Sequence, residues 1–135
     1  MSAPAADEER GASSIEMVLY VPIVVLVLML GIQAAVTWHA SQIAAASARE
    51  AARVARVGGG TEEALAQADI HGQQHAAVVG NGALEEVDVQ VVPAGDGTIS
   101  ATVTGYGIEV LPGWRMQVGQ TVEGPVEEFR PDTTS

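Results

Sequence analysis

The chain has 135 residues, with 6 Lys+Arg, 17 Asp+Glu, no cysteine and a formal net charge of −11. Six scattered arginines cannot build the basic face that phosphates require, which excludes a nucleic-acid partner, and without cysteine there is neither a disulfide scaffold nor a thiolate metal site. Of the apolar 47 %, most is Ala and Val, and Trp, Tyr and Phe number only 2, 2 and 1, so this single-domain length suits an assembly subunit or a membrane-tethered module better than an independent enzyme.

The first informative segment is Arg10-Gly11-Ala12-Ser13-Ser14-Ile15-Glu16. Glu16 stands directly before an apolar run. An ionised side chain at a membrane boundary is costly unless solvated or paired, which invites a functional reading. It equally suits the water interface, or the first turn of a helix capped by Ser13 or Ser14, where the dipole favours an acid.

From Met17 to Ala48 there is no Asp, Glu, Lys or Arg. Residues 17–38 are long enough to cross a hydrocarbon core of about 30 Å as a helix. Tyr20 and Trp38 lie roughly 27 Å apart along it, the spacing of an aromatic pair at two interfaces. Pro22 removes one helical hydrogen bond, which membrane helices tolerate. A cleaved secretory signal would have a basic start and a shorter apolar run. Here the start is Asp7-Glu8-Glu9-Arg10, although Ala34-Ala35 or Ala44-Ala45-Ala46 offers small residues for cleavage. Counted alone, Arg49, Arg53 and Arg56 against Arg10 would put the C-terminal side in the cytoplasm.

A basic residue, a Gly, four small or apolar residues and a Glu heading a Pro-containing apolar span resemble the processing site of class III signal peptides in type IV pilins. The pattern is most similar to TadE-like pseudopilins of the Tad (tight adherence, type IVb) system. The closing segment, Glu123 to Phe129, also resembles the tail of such proteins. The resemblance implies a leader of residues 1–11, cut by a membrane prepilin peptidase between Gly11 and Ala12. It implies a retained helix over 12–57 and a C-terminal domain outside the cytoplasm, opposite to the bare arginine count. It further implies that Glu16 pairs with the Ala12 amine of a neighbouring subunit, setting register more than adding stability. The implied partners are the peptidase, other pilins, membrane lipid and an inner-membrane assembly platform with its ATPase.

After Trp38 an Ala-rich segment without Gly or Pro continues the helix to Val57. Ala40, Ala44, Ala48 and Ala52 form one i+4 ladder, and Ser47, Ala51 and Ala55 a second. Small stripes let helices approach closely, and Gly31 and Ala35 extend the theme into the span. These residues serve packing on a sheet, packing on neighbouring subunits, or both. Arg49, Arg53 and Arg56 form a third stripe, solvated or near acids. Gly58-Gly59-Gly60 ends the helix.

Residues 58–123 read as a small α+β domain. Thr61 caps a second helix with Glu62 and Glu63 in its first turn. Ala64, Leu65, Ala68 and Ile70 give it an apolar face, with a break expected at Gly72. Val87, Val89 and Val91 share a strand face, 93–97 reads as a five-residue hairpin connection, and Ile99, Ala101 and Val103 face one way on the next strand. Ile108–Leu111 and Met116–Val122 read as two more strands. The fold expected is α+β: a long N-terminal helix packed on a small antiparallel sheet, pilin-like, with residues 124–135 a flexible tail.

No catalytic constellation is expected, and no cofactor. His71 and His75 at i and i+4 lack a third placed ligand, so they do not make a metal site. Glu85, Glu86 and Asp88 read as a solvated acidic edge, and Trp114 as a domain-edge residue or partner anchor. The function expected is that of a minor pilin or pseudopilin in assembly of a Tad-type pilus or secretion pseudopilus. The alternatives are an uncleaved single-pass membrane-anchored binding module and a secreted small domain.

Overall fold

The computed structural model describes residues 5–126, with side chains from residue 13 onward. Its elements are helices α1 (Ala5–Val57) and α2 (Glu62–Gly80) and strands β1 (Leu84–Gly95), β2 (Thr98–Gly107) and β3 (Gln117–Pro125). The strands form one antiparallel sheet in the order β1-β2-β3. The architecture is therefore the expected α+β arrangement of a long N-terminal helix, a short helix and a small sheet.

α1 is a single helix of 53 residues, about 80 Å long. It continues through Pro22 and begins ahead of the expected start at residue 12. The Ala and acidic residues before Gly11 are types that favour a helix start. At the other end, Gly59 and Gly60 adopt φ of 75° and 70°, which a side chain resists, and α1 stops. Thr61 then caps α2, its Oγ1 accepting from Ala64 N at 3.2 Å.

Both helices cover the same sheet face, α1 beneath β2 and β3 and α2 beside it beneath β1. Their seam is built of small residues. Ala44, Ser47, Ala48, Ala51 and Ala55 of α1 have no exposed surface. α2 answers with Ala64, Ala68, Gly72, Ala76 and Gly80, one every fourth residue and all buried. Such a stripe forms a shallow groove, so the helices approach backbone to backbone. Gly72 does not break α2. A Cβ there would lie 3.0 Å from Val89 Cγ1 and 3.1 Å from Ala51 Cβ, so the seam leaves no room for a side chain at this residue. Ile70, assigned above to the apolar face, is 55 % exposed.

On the sheet, Ile99, Ala101 and Val103 point inward as their alternation requires, and Ile99 and Val103 are the largest fully buried apolar side chains. The hairpin is tighter than expected. Pro93 pairs with Ile99 and Gly95 with Thr98, leaving Asp96-Gly97 as a two-residue turn. Their φ values of 51° and 70° are both left-handed, matching the twist of the strands. The two strands expected between 108 and 122 reduce to β3, because residues 108–116 form a loop whose amides bond elsewhere. β3 also runs further than expected, with Ile99 opposite Gly124 and Thr98 opposite Pro125. Arg56 donates from Nε to Pro125 O at 2.7 Å and lies over Gly124. The rest of the expected tail, 127–135, lies outside the described residues.

Gly72→Leu has no space and should destabilise the domain by about 3 kcal/mol or more. Ile70→Ala, two residues away and exposed, should change stability by less than about 0.5 kcal/mol. Denaturant unfolding of the two variants in detergent checks the contrast.

Candidate functional site

The helix that supports the domain leaves its first half bare. Fourteen large apolar side chains between Ile15 and Ile32 are exposed, Val18 at 75 % and Leu30 at 38 %. The most apolar stretch of α1 is 0 % buried within the chain and is long enough to cross a membrane. At about 1.5–3 kcal/mol for a fully buried large side chain, leaving half of this surface in water costs on the order of 15 kcal/mol. That matches or exceeds the whole stability of an ordinary domain. Tyr20 and Trp38 stand near the ends of the span, 55 % and 66 % exposed.

The residues assigned to processing and packing fall into two groups. Gly11 and Ala12 lie in the α1 backbone, with side chains outside the described ones, and Glu16 is exposed without a partner among the described residues. Gly31 and Ala35 are exposed on the bare half. Ala40, Ala44 and Ala48 have no exposed surface, because the chain's own sheet and second helix occupy that face. Thus Gly31 and Ala35 lie on open surface, and the alanine ladder does not.

Where bare rod meets domain, one side chain organises the junction. Gln33 is the only amide between Met17 and Val36, and it is 4 % exposed. Its Oε1 accepts from Val110 N at 2.9 Å and Leu111 N at 3.2 Å. Its Nε2 donates to Ile108 O at 3.3 Å and to Thr37 Oγ1 at 3.4 Å. The amide thus does for residues 108–111 what a neighbouring strand would do. One turn beyond Thr37, Gln120 Nε2 donates to Ser41 Oγ at 2.9 Å and ties β3 to the helix.

The 108–116 loop closes on itself through Gly107 N donating to Met116 O at 3.1 Å and Trp114 N to Leu111 O at 3.0 Å. Arg115 fixes its far side. The guanidinium reaches Glu86 Oε1 at 3.1 Å and Glu85 Oε2 at 3.5 Å, and lies 4.5 Å from the Tyr106 ring centre. The acidic pair is therefore a docking point for the loop as well as a solvated edge. Between loop and rod lies an open groove of about 600 Å³, with Leu30, Ala34, Trp38, Trp114, Met116 and Val118 among its lining.

Other polar groups serve the seam. Ser47 Oγ and His75 Nδ1 are 3.1 Å apart, so the histidine satisfies a buried hydroxyl. His71 stays exposed beside it. Asp69 sits between α2 and β1 with Oδ1 buried and without a hydrogen bond. Burial, then the nearby charge of Asp88, raises its pKa above the usual carboxylate value. Gln33 and the Ser47–His75 contact were not singled out from sequence. A lone amide in an apolar span was the available signal for the first.

One apolar helix, long enough to cross a membrane, that continues as the spine of a small α+β domain fits the class of membrane-anchored proteins. Residues 11–53 match the family model of TadE-like protein, a match that runs over both the bare and the buried part of α1. The family is one of the Tad pilus, a structural rather than catalytic kind. No curated protein and no solved structure matches the chain.

Gln33→Leu keeps the volume but strands two amides, and should cost about 2–3 kcal/mol. Hydrogen exchange should accelerate at Val110 and Leu111 and remain slow at Val103. For Asp69, a folded pKa above the unfolded one means that the stability this group contributes is fully present below about pH 4. It is lost as pH rises through the raised value. Asp69→Asn should therefore raise the melting temperature at pH 7 and remove that part of the pH dependence.

Proposed function

We propose that the chain is a minor pilin or pseudopilin that takes part in assembly of a Tad-type pilus or secretion pseudopilus. The observation that carries this reading is a coincidence of extent. The TadE-like match over 11–53 includes the whole run of exposed large apolar side chains from Ile15 to Ile32, and Trp38 beyond it. In the membrane, lipid covers that surface; in an assembly, helices of other subunits replace the lipid, with Gly31 and Ala35 giving points of close approach.

On this reading a prepilin peptidase cuts between Gly11 and Ala12, where a residue without a side chain lets the backbone approach the enzyme. The new Ala12 amine then pairs with Glu16 of a neighbouring subunit, and Glu16 has no competing partner among the described residues. The domain lies outside the cytoplasm, and an inner-membrane platform with its ATPase drives recruitment. Release of a secreted domain by cleavage after Ala46 is disfavoured, because it would remove Ala40, Ile43 and Ala44 from the core. The uncleaved-anchor reading gains one point from the continuity of α1 back to Ala5.

Mass spectrometry of the protein recovered from its native membrane should give an N-terminus at Ala12; an intact start would favour the uncleaved anchor. Glu16→Ala should insert into membranes as the parent does but fail to co-purify with other pilus subunits. Normal co-purification would remove the proposed role of Glu16.

A further inference from the structure

We propose that the 108–116 loop lies in the lipid headgroup layer where α1 leaves the bilayer, with Trp114 as its anchor. The proposal rests on reading residues 17–38 as a membrane span and adds a second contact with lipid.

Heights along the rod carry the argument. If Glu16 marks one edge of the hydrocarbon, the far edge lies about 30 Å away. At 1.5 Å per residue, Gln33 sits roughly 25 Å and Trp38 roughly 33 Å from Glu16. Gln33 holds the backbone of residues 108, 110 and 111 at its own height. The domain therefore has no stalk, and this loop is carried down to the membrane boundary.

The chemistry of the loop suits that depth. Irregular backbone is tolerated near hydrocarbon only where its polar groups are satisfied. Here Gln33 and the two closing hydrogen bonds supply the partners. Ile108, Trp114 and Met116 are exposed at 42 %, 48 % and 37 %, an apolar group beside the span rather than far from it. Trp is favoured at this level because its ring is apolar and its N–H polar. Arg115 and its acidic partners hold the loop's far side on the sheet, so its shape exists before contact. The exposed Glu109 carboxylate accepts from Gly113 N, and its need for water keeps the loop at the hydrocarbon edge against the headgroups rather than deep in the acyl core. The groove behind Trp114 shares Leu30 and Ala34 with the bare surface of α1, so its apolar wall continues the lipid-facing side.

The two tryptophans provide the test. The full chain is placed in phosphatidylcholine vesicles brominated high or low on the acyl chain, as Trp38→Phe and as Trp114→Phe. In Trp38→Phe, Trp114 should emit to the blue, lose most of its emission to the high-brominated lipid and resist aqueous iodide. Quenching by iodide with no effect of bromine would overturn the proposal while Trp38, in the other variant, still responds to bromine. Loss of the bromine response at both tryptophans would instead remove the span reading and this proposal with it. Shielding of Trp114 that appears only as protein density in the vesicle rises would assign the groove to a second copy's helix and also overturn it.

Discussion

Between residues 40 and 55, α1 presents mostly methyl groups and two hydroxyls, Ser41 and Ser47, to the domain it carries. That restriction sets the spacing of everything else. Because Ala44, Ala48, Ala51 and Ala55 occupy so little room, α2 can lie against α1 with its own Ala and Gly stripe and still reach β1. The core then needs few large residues, and Ile99 and Val103 suffice at its centre. Shape matching at short range takes the place of bulk. A chain with five aromatics and 47 % apolar content, much of it Ala and Val, can fold a domain only on these terms.

The same helix is asked to satisfy two solvents in succession. Its bare half has no apolar cover among the described residues, and its second half turns one face to the domain and leaves His39, Gln42, Arg49 and Arg53 exposed on the other. The change occurs near Gln33, where an amide inside an apolar run is used to tie down a remote loop. A polar group at that height is acceptable because both ends of the amide are bonded. The TadE-like match spans both halves, which is what one expects if anchor and spine are a single functional part.

Much of this was legible from residue order. The charge-free run, its continuation as an Ala-rich helix, the Thr61 cap and the inward triplet Ile99, Ala101, Val103 all rest on local periodicity, and they appear where periodicity puts them. Gly11 and Glu16 were read from a short motif at the head of the run. What was not legible depends on distant partners. Gly72 is tolerated inside α2 because Val89 and Ala51 fill the space a side chain would need. Residues 108–111 look like a strand, yet their amides bond to a side chain more than seventy positions earlier. The Ala ladder fits either a sheet or another subunit, and only the folded chain shows that the first claims it.

The rod also makes the protein a mechanical element. Force applied along the anchor enters the domain in shear, since α1 lies across β2 and β3 instead of joining them end to end. Three ties cross that plane at separate heights: Gln33 to the 108–111 backbone, Ser41 to Gln120, and Arg56 to the Pro125 carbonyl. They bear load side by side, so no single tie carries the full pull. A chain wired in this way transmits tension stiffly from its apolar half to its sheet.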